Sequence, residues 1–528
     1  MQKSAKLHPN STLECDVAVI GGSFGGVAAA LAAAESGASV ILTEATPWIG
    51  GQVSSQAVAP LDEHELIETV SPTRGYTAFR QAVRQYYQEH YQVPRVAPDG
   101  KPLNPGNGWV SRLCFEPRVG LEVLQRMLSP SIENGRLRIF TQAKPVACQG
   151  DPTCIRSVQL VQRGRPFAVR ADYYLDATDC GDLLPLAGVP YVTGAEARED
   201  TGEADASPDG PHPERIQSLT FCFLVEFCPG ENHTIRKPRG YARFRQQQPY
   251  SLTLYNRAGE GRTFNFFTAT AERPLPFWTY RRVFDAQTLA PQRNDIALIN
   301  WHGNDYHLAS PIDQPPARQA AILDEARRLS LGFLYWLQTE AWRDDGQGFG
   351  YPELRLLKEA VGTRSGLAMA PYVREARRIR GLYRITAQDI LAETNRGKDQ
   401  IAFPDSVGIG WYAMDLHPAV GDPSSMYAPT LPYQIPLGAL IPLECSNLLA
   451  ACKNINTTHL SNGAYRLQPT EWSIGEAAGA LAAYCVAHQV KPHTVHAHPN
   501  TFKEFQAFLQ RRGVATAWPQ AALDSLKH

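Results

Sequence analysis

Two histidines and two arginines carry the residue types that move protons and hold anions. His417 closes the run Met414-Asp415-Leu416-His417. On an extended segment Asp415 and His417, two residues apart, face the same side, and the carboxylate can set the imidazole tautomer. His459 lies in a loop ahead of a small-residue helix. A histidine with an ordinary pKa near ~6.5 accepts or donates a proton at neutral pH. Arg374 and Arg377 belong to R-E-A-R-R at 374–378. On a helix, 374, 377 and 378 share a face, and Glu375 pairs with Arg378 at i, i+3. A guanidinium fork matches a carboxylate, so an arginine pair there points to a carboxylate-bearing substrate. In their commonest roles the same residues are core histidines and a solvated helix face.

These side chains need a scaffold, and residues 16–51, DVAVIGGSFGGVAAALAAAESGASVILTEATPWIGG, supply its first part. The order is apolar strand, glycine-rich turn, small-residue helix, second strand and acid, as a site for the ADP half of a dinucleotide requires. Asp16–Ile20 form the first strand, Gly21 the tight turn, Val27–Ser36 the helix and Ser39–Thr43 the second strand. Gly21, Gly22, Ser23, Phe24, Gly25 and Gly26 would surround a pyrophosphate at the helix N-terminus. Ser23 replaces the middle glycine of G-x-G-x-x-G, and its hydroxyl can bond a phosphate oxygen. Glu44, followed by Ala45, is placed to accept from a ribose 2′-OH.

The 528-residue chain is long enough for more than one domain. Its 51 Lys+Arg balance 52 Asp+Glu, so no general field attracts nucleic acid or anionic lipid. Ten scattered cysteines contain no C-x-x-C, and no metal site is expected. The N-terminus lacks an apolar signal core, and the runs Ala28–Ala34 and Ala477–Ala483 are too short to span a bilayer. A cytoplasmic protein without membrane or nucleic-acid partners is expected.

Along the chain, Met1–Leu13 reads as a loose tail, Thr46–Val70 as a loop, and Thr77–Tyr91 and Arg118–Leu128 as helices. Leu137–Ala147, Ile155–Gln162 and Phe167–Asp176 read as strands between Gly/Pro turns. A polar stretch at Asp200–Pro213 marks a boundary. Aromatic-rich strands follow, with at least one helix, Pro316–Trp342. Leu448–Ala451 reads as a buried strand, Thr470–His488 as a helix and Thr501–Arg512 as a final amphipathic helix.

Four further motifs join the βαβ unit: YYLDATDCGDLLPLAGVPY at 173–191, REARRIRGLYRIT at 374–386, FPDSVGIGWYAMDLH at 403–417 and NLLAACKNINTTHLSNGAYRLQPTEWSIGEAAGALAAYC at 447–485. Together they resemble the FAD-dependent oxidoreductases of the two-dinucleotide-binding-domain flavoprotein superfamily. The resemblance implies an α/β fold: a Rossmann-like FAD-binding domain with a parallel central sheet built from discontinuous segments (14–212 and 373–490), an inserted α+β substrate or cap domain with a mainly antiparallel sheet (213–372), and a C-terminal helical tail (491–528). It implies FAD as cofactor. It places the Asp176-Ala177-Thr178 turn behind the FAD, the backbone of Val146 at the adenine, and Gly51 and Gln52 beside the ribityl chain or ring. It expects Arg466 to contact cofactor phosphate or hold its loop. Ser473-Ile474-Gly475-Glu476 then reads as a second helix N-terminus whose N–H groups face the flavin.

The implied activity is that of a dehydrogenase or reductase passing a hydride between a small organic molecule and flavin N5. A monooxygenase using NAD(P)H and O2, and a non-redox flavin-binding protein, stay open. No second glycine fingerprint marks a nicotinamide domain; Gly346–Gly350 is glycine-rich but follows no apolar strand. The substrate, the electron partner, covalent attachment of FAD and the oligomeric state are not written in these motifs.

Overall fold

A computed structural model describes residues 11–94, 96, 100–255 and 259–527. Most of the expected N-terminal tail lies outside the described residues; the remainder begins the first strand early. That strand, β1, runs Thr12–Ile20. It continues into helix α1 (Phe24–Glu35) and strand β2 (Val40–Glu44). β3 (Leu137–Thr141), β4 (Ala143–Asp151), β5 (Cys154–Gln162) and β6 (Arg165–Asp176) follow. The sheet order is β3-β2-β1-β6, all parallel, and a short strand Leu448–Ala450 joins β6 in parallel. The first half of β6 also turns antiparallel with β5, and β5 with β4. Val17–Ile20 and Val40–Glu44 are buried on both faces, which is why they read as unbroken apolar runs rather than alternating ones.

The expected single strand at Leu137–Ala147 is two. Gln142, at φ +56°, breaks it, so Leu137–Thr141 enters the parallel core while Ala143–Asp151 leaves for the opposite edge of the sheet. Helix α1 is buried from Phe24 to Ala34 and, apart from its last residue Glu35, consists of Ala, Gly and Val with one Phe and one Leu. Such small side chains let a second helix, Gln468–His488, approach at backbone distance. A Cβ on Gly475 would stand 2.0 Å from the Gly25 carbonyl oxygen, and one on Gly479 2.1 Å from that of Ala29. The glycines one turn apart are therefore the contact surface of the crossing.

That helix begins at Gln468, with Pro469 in its first turn, not at Thr470 or Ser473. Proline has no N–H to lose in a first turn, which fixes the start. Ser473, Ile474, Gly475 and Glu476 are thus inside the helix, and their N–H groups belong to its own ladder. The reading of a second helix N-terminus at 473–476 is corrected accordingly.

R-E-A-R-R is not a helix either. Tyr372–Val373 and Arg378–Ile379 are short strands joined by a turn, each pairing with a different strand. The ion pair between Glu375 and Arg378 forms as expected, but across this turn.

A second hydrophobic core draws its buried residues from 219–367, among them Phe223, Phe266, Trp301 and Phe333. Two antiparallel sheets carry it: Arg282–Phe284, Ile296–Ile299, Phe223–Phe227 and Leu354–Leu356 in one, Asp305–Tyr306, Leu219–Thr220 and Tyr372–Val373 in the other. The helix Pro316–Thr339 packs on it through Leu329, Phe333 and Leu337. Among the described residues no helix is long and apolar enough to cross a membrane.

Candidate active site

The strands β1, β2, β6 and Leu448–Ala450 all end at the N-terminus of α1. Gly21 turns the chain there at φ +105°, and a Cβ on it would lie 2.3 Å from the Ala177 backbone. Gly26 permits the same approach from the helix side, where a Cβ would lie 2.2 Å from the Gly21 oxygen. Ser23 is the N-cap, its Oγ accepting from Gly26 N at 3.1 Å. Phe24 turns inward against Tyr76, Phe79 and Trp472, so only its backbone faces the turn. Asp176 is buried and accepts from Thr178 N, Thr178 Oγ1 and Leu183 N. Burial outweighs these bonds and pushes its pKa up to about 7.

The backbone N–H groups at this turn point at carboxylates: Gly22 N donates to Glu44 Oε2 and Gly25 N to Glu471 Oε1, each at 2.9 Å. Glu44 also accepts from Thr46 N at 2.7 Å, and burial pushes its pKa up to about 7. Ala45 is exposed beside it. Lys453, buried, reaches Asp179 at 2.6 Å. Gln52 donates from Nε2 to the Arg466 carbonyl at 3.1 Å and to Glu471, while its Oε1 has no partner. Gly51, at φ +46°, lies against Ser23. Val146 is the bulged residue between the register pairs of Pro145 and Ala147, half exposed and outside the ladder. The close-packed glycine turn at Gly21 and Gly26, the N-terminus of α1 and the unpartnered Gln52 amide oxygen, which can accept from a hydroxyl, fit a dinucleotide such as FAD.

Of the candidate catalytic residues, His417 and Arg374 meet on one carboxylate, Asp305. His417 Nδ1 donates to Asp305 Oδ2 at 2.5 Å, and its Nε2 lies 3.5 Å from Asp415 Oδ2. Asp415 does sit beside His417 on an extended strand, Met414–Leu416, but the close orienting carboxylate is Asp305, from the second core. Arg374 donates to Asp305 Oδ1 at 3.0 Å, to Thr220 Oγ1 at 2.8 Å and to the Ser218 carbonyl at 3.0 Å. Burial works against ionisation of Asp305, yet Arg374 and then His417 hold its carboxyl well below the usual range. Asp415 is held low in the same way by His417 and Arg466. His302 stacks on His417 with ring centroids 4.5 Å apart, and burial lowers its pKa to about 4. His302, Asp305 and His417 bring potential metal-ligand atoms within 4.8 Å of one another; both Asp305 oxygens are already engaged by Arg374 and His417.

Arg466 is fully buried and donates to Tyr372 OH at 2.7 Å and to Asp415 Oδ2 at 3.0 Å. Its guanidinium therefore ties its own segment to the strand of Asp415, while its carbonyl accepts from Gln52. A chain of contacts runs from Gln52 to the Arg466 carbonyl, from the Arg466 guanidinium to Asp415, and across a longer 3.5 Å ion-pair contact to His417 and on to Asp305.

Arg377 points elsewhere, to Asp313 at 2.9 Å and Asp182 at 3.2 Å. Arg374 and Arg377 share no face, and each holds carboxylates of the protein itself. The paired arginine clamp for a substrate carboxylate is not assembled. His459 is the first residue of the helix His459–Tyr465, not part of a loop. Its Nδ1 lies 2.8 Å from Glu375 Oε2 and its backbone N–H donates to Glu196 at 2.8 Å. Burial opposes ionisation of Glu375, but His459 and then Arg378 bring its pKa to about 2. Gly475 serves the helix crossing, Ile474 is buried, and Glu476 accepts from Trp472 Nε1 one turn back in the same helix at 2.9 Å.

Asp305, His302, Glu471 and Lys453 were not among the residues picked out by sequence. Asp305 and His302 sit in an irregular aromatic segment with no periodic signal. Glu471 was legible in principle, one turn into a helix whose start Pro469 marks.

Residues 16–509 match a family model described as FAD dependent oxidoreductase. A stretch of 83 residues is 41% identical to the carotenoid phi-ring synthase of Streptomyces griseus, covering 16% of this chain and 15% of that protein. The chain thus matches well under two thirds of that relative's length. Among solved structures, a geranylgeranyl bacteriochlorophyll reductase-like protein of Thermoplasma acidophilum is 11% identical over 98% of this chain and 91% of its own, with a TM-score of 0.36. Quinol fumarate reductase of E. coli is 13% identical over 95% of this chain and 74% of its own, with a TM-score of 0.32.

Proposed function

The chain belongs to the FAD-dependent oxidoreductase family, and from that premise we propose that it passes a hydride between a small organic substrate and the flavin, with His417 handling the accompanying proton. FAD, when bound, supplies the two-electron chemistry. The chain's own contribution is to place substrate, exclude water and move one proton.

The observation that carries this reading is the path from Gln52 to Asp305. Gln52 belongs to the segment beside the α1 N-terminus, and two hydrogen bonds and one longer contact connect it to His417. His417 is partly exposed, so its ring can meet a substrate, while Asp305 behind it is buried. An ionised Asp305 accepting from Nδ1 leaves Nε2 as the proton-exchanging nitrogen. Neutral His302 packs against the ring and restricts its rotation. Asp415 and Arg466 complete the charge balance around it, so a proton can be taken up without leaving an unpaired buried cation.

The test is the visible spectrum of the purified holoenzyme under anaerobic conditions, before and after NADH, NADPH or a panel of small reduced organic compounds. Bleaching by an organic donor, slowed strongly in His417→Asn at unchanged flavin content, supports a dehydrogenase with this proton path. Bleaching by NAD(P)H followed by oxygen consumption without peroxide release would redirect the reading to a monooxygenase. A flavin inert to every donor would overturn it.

A further inference from the structure

His417 and His459 come from separate segments yet line one cavity of about 50 Å³. A single water needs only ~10–15 Å³, so there is room for a charged head group of a few heavy atoms. Glu196, Glu203, Asp205 and Asp422 line the same cavity, with Arg215 as a cationic side chain on its wall. The carboxylates outnumber the guanidinium.

Much of this charge has structural work: Asp422 Oδ1 accepts from Ser424 N at 3.0 Å and from Ser424 Oγ at 2.6 Å. Glu196 accepts from Arg378 at 2.7 Å and from His459 N at 2.8 Å. Glu203 Oε1 accepts from Ala387 N at 2.6 Å and Thr458 Oγ1 at 2.7 Å. Glu203 Oε2 is different: the residue is 1% exposed, and this oxygen has no partner. A buried carboxylate oxygen without a donor costs free energy, and sites that keep one serve a ligand or a strained state. Burial accordingly raises the Glu203 pKa, as expected of a carboxyl lacking a counter-charge. In its neutral form the His459 ring, donating from Nδ1 to the ionised Glu375, keeps Nε2 as an acceptor. Both histidine and glutamate therefore present acceptors, a pattern that recognises N–H donors carrying positive charge.

We propose that this cavity binds the ammonium or guanidinium head group of an organic cation, with Glu203 as its counter-ion and His459 as a second acceptor. The proposal rests on the reading of His417 as the proton-handling residue, since it takes the cavity beside that histidine as the substrate's place. An inorganic ion fits less well. Among the described residues, metal-ligand atoms close enough to enclose an ion occur at His302, Asp305 and His417 and at Cys228, Glu231 and His233, not among the carboxylates of this wall. The arginine pair that would favour a carboxylate substrate is spent on Asp305, Asp182 and Asp313.

The experiment titrates the flavin-loaded protein with n-butylammonium chloride, sodium butyrate and magnesium chloride at equal ionic strength. The readouts are the perturbation of the flavin absorbance and the melting temperature. The expected result is a saturable response to n-butylammonium alone, weakened roughly tenfold or more in Glu203→Gln. Asp422→Asn, on the more exposed wall, is expected to weaken it as well and decides the matter if Glu203→Gln does not fold. No saturable response to n-butylammonium, an equal response to butyrate, displacement by magnesium at equal concentration, or unchanged affinity in both variants would each overturn the proposal. A flavin that a donor bleaches but that ignores ammonium sinks only the cation site. A flavin that no donor bleaches sinks the hydride-transfer reading instead.

Discussion

His417 donates from Nδ1 to Asp305 Oδ2 at 2.5 Å, joining a loop of the sheet-bearing region to the edge of the second core. A carboxylate kept ionised at that nitrogen fixes which tautomer the ring adopts. Asp305→Asn keeps the shape and reverses the preference. The reduction of bound flavin by whichever donor bleaches the wild type should slow about 100- to 10,000-fold, the range of general acid–base catalysis. Stopped-flow absorbance at several pH values checks it: the pH profile should move while the resting flavin spectrum does not. An unchanged profile would remove Asp305 from the proton path.

The crossing of α1 and the helix Gln468–His488 has no room for a methyl group at Gly475 or Gly479. Each Gly→Ala change should destabilise by about 1–3 kcal/mol through overpacking, despite the better helix propensity of alanine. Gly475→Ala should also weaken flavin retention, because it pushes on Gly25 in the first turn of α1. Urea unfolding and flavin content after gel filtration read the two effects separately.

His302 gives a pH dependence with a definite sign. Its folded pKa is about 4 against 6.5 for the ordinary side chain, so the unfolded chain binds the proton more readily. The stability it contributes is complete above pH 6.5, falls as pH drops from 6.5 towards 4, and changes no further below that. The loss is on the order of 1–3 kcal/mol. Urea midpoints at pH 7.5 and 4.5 should therefore differ less in His302→Gln than in the wild type.

The two arginines of R-E-A-R-R should behave very differently. Arg374 and its partner Asp305 are both buried, so Arg374→Ala strands a charge and should cost about 3–5 kcal/mol. Arg377 pairs with Asp182 and Asp313, which are 39% and 42% exposed, and Arg377→Ala should cost about 1 kcal/mol or less. Thermal melts of the two variants side by side test the assignment; equal losses would contradict it.

Sequence disclosed the parts of this molecule that repeat a local rule. The turn at Gly21 to Gly26 and the acid at Glu44 are set by short-range spacing, and the aromatic-rich strands after Pro213 announced the second core. The misreadings have equally local causes. R-E-A-R-R satisfies i, i+3 pairing in a turn as well as in a helix, and Ser473-Ile474-Gly475 resembles a cap although Pro469 had already begun the helix. Gln142 interrupted an apolar run with nothing but its backbone angle. Asp305 and Glu203 could not be found this way, because what singles them out is burial beside groups 112 and 255 residues distant.

The contact between Gly25 and Gly475 has a consequence for biosynthesis. The first βαβ unit leaves the ribosome early, but the helix that seals its outer face, and the strand Leu448–Ala450 that flanks β6, emerge only after more than four-fifths of the 528 residues. Chain segments synthesised in between can settle around their own aromatic core while α1 still lacks its cover. The cofactor-bearing half is then closed last, by its C-terminal portion, and a nascent or prematurely terminated chain would expose an alanine-rich helix to chaperones and proteases until that helix arrives.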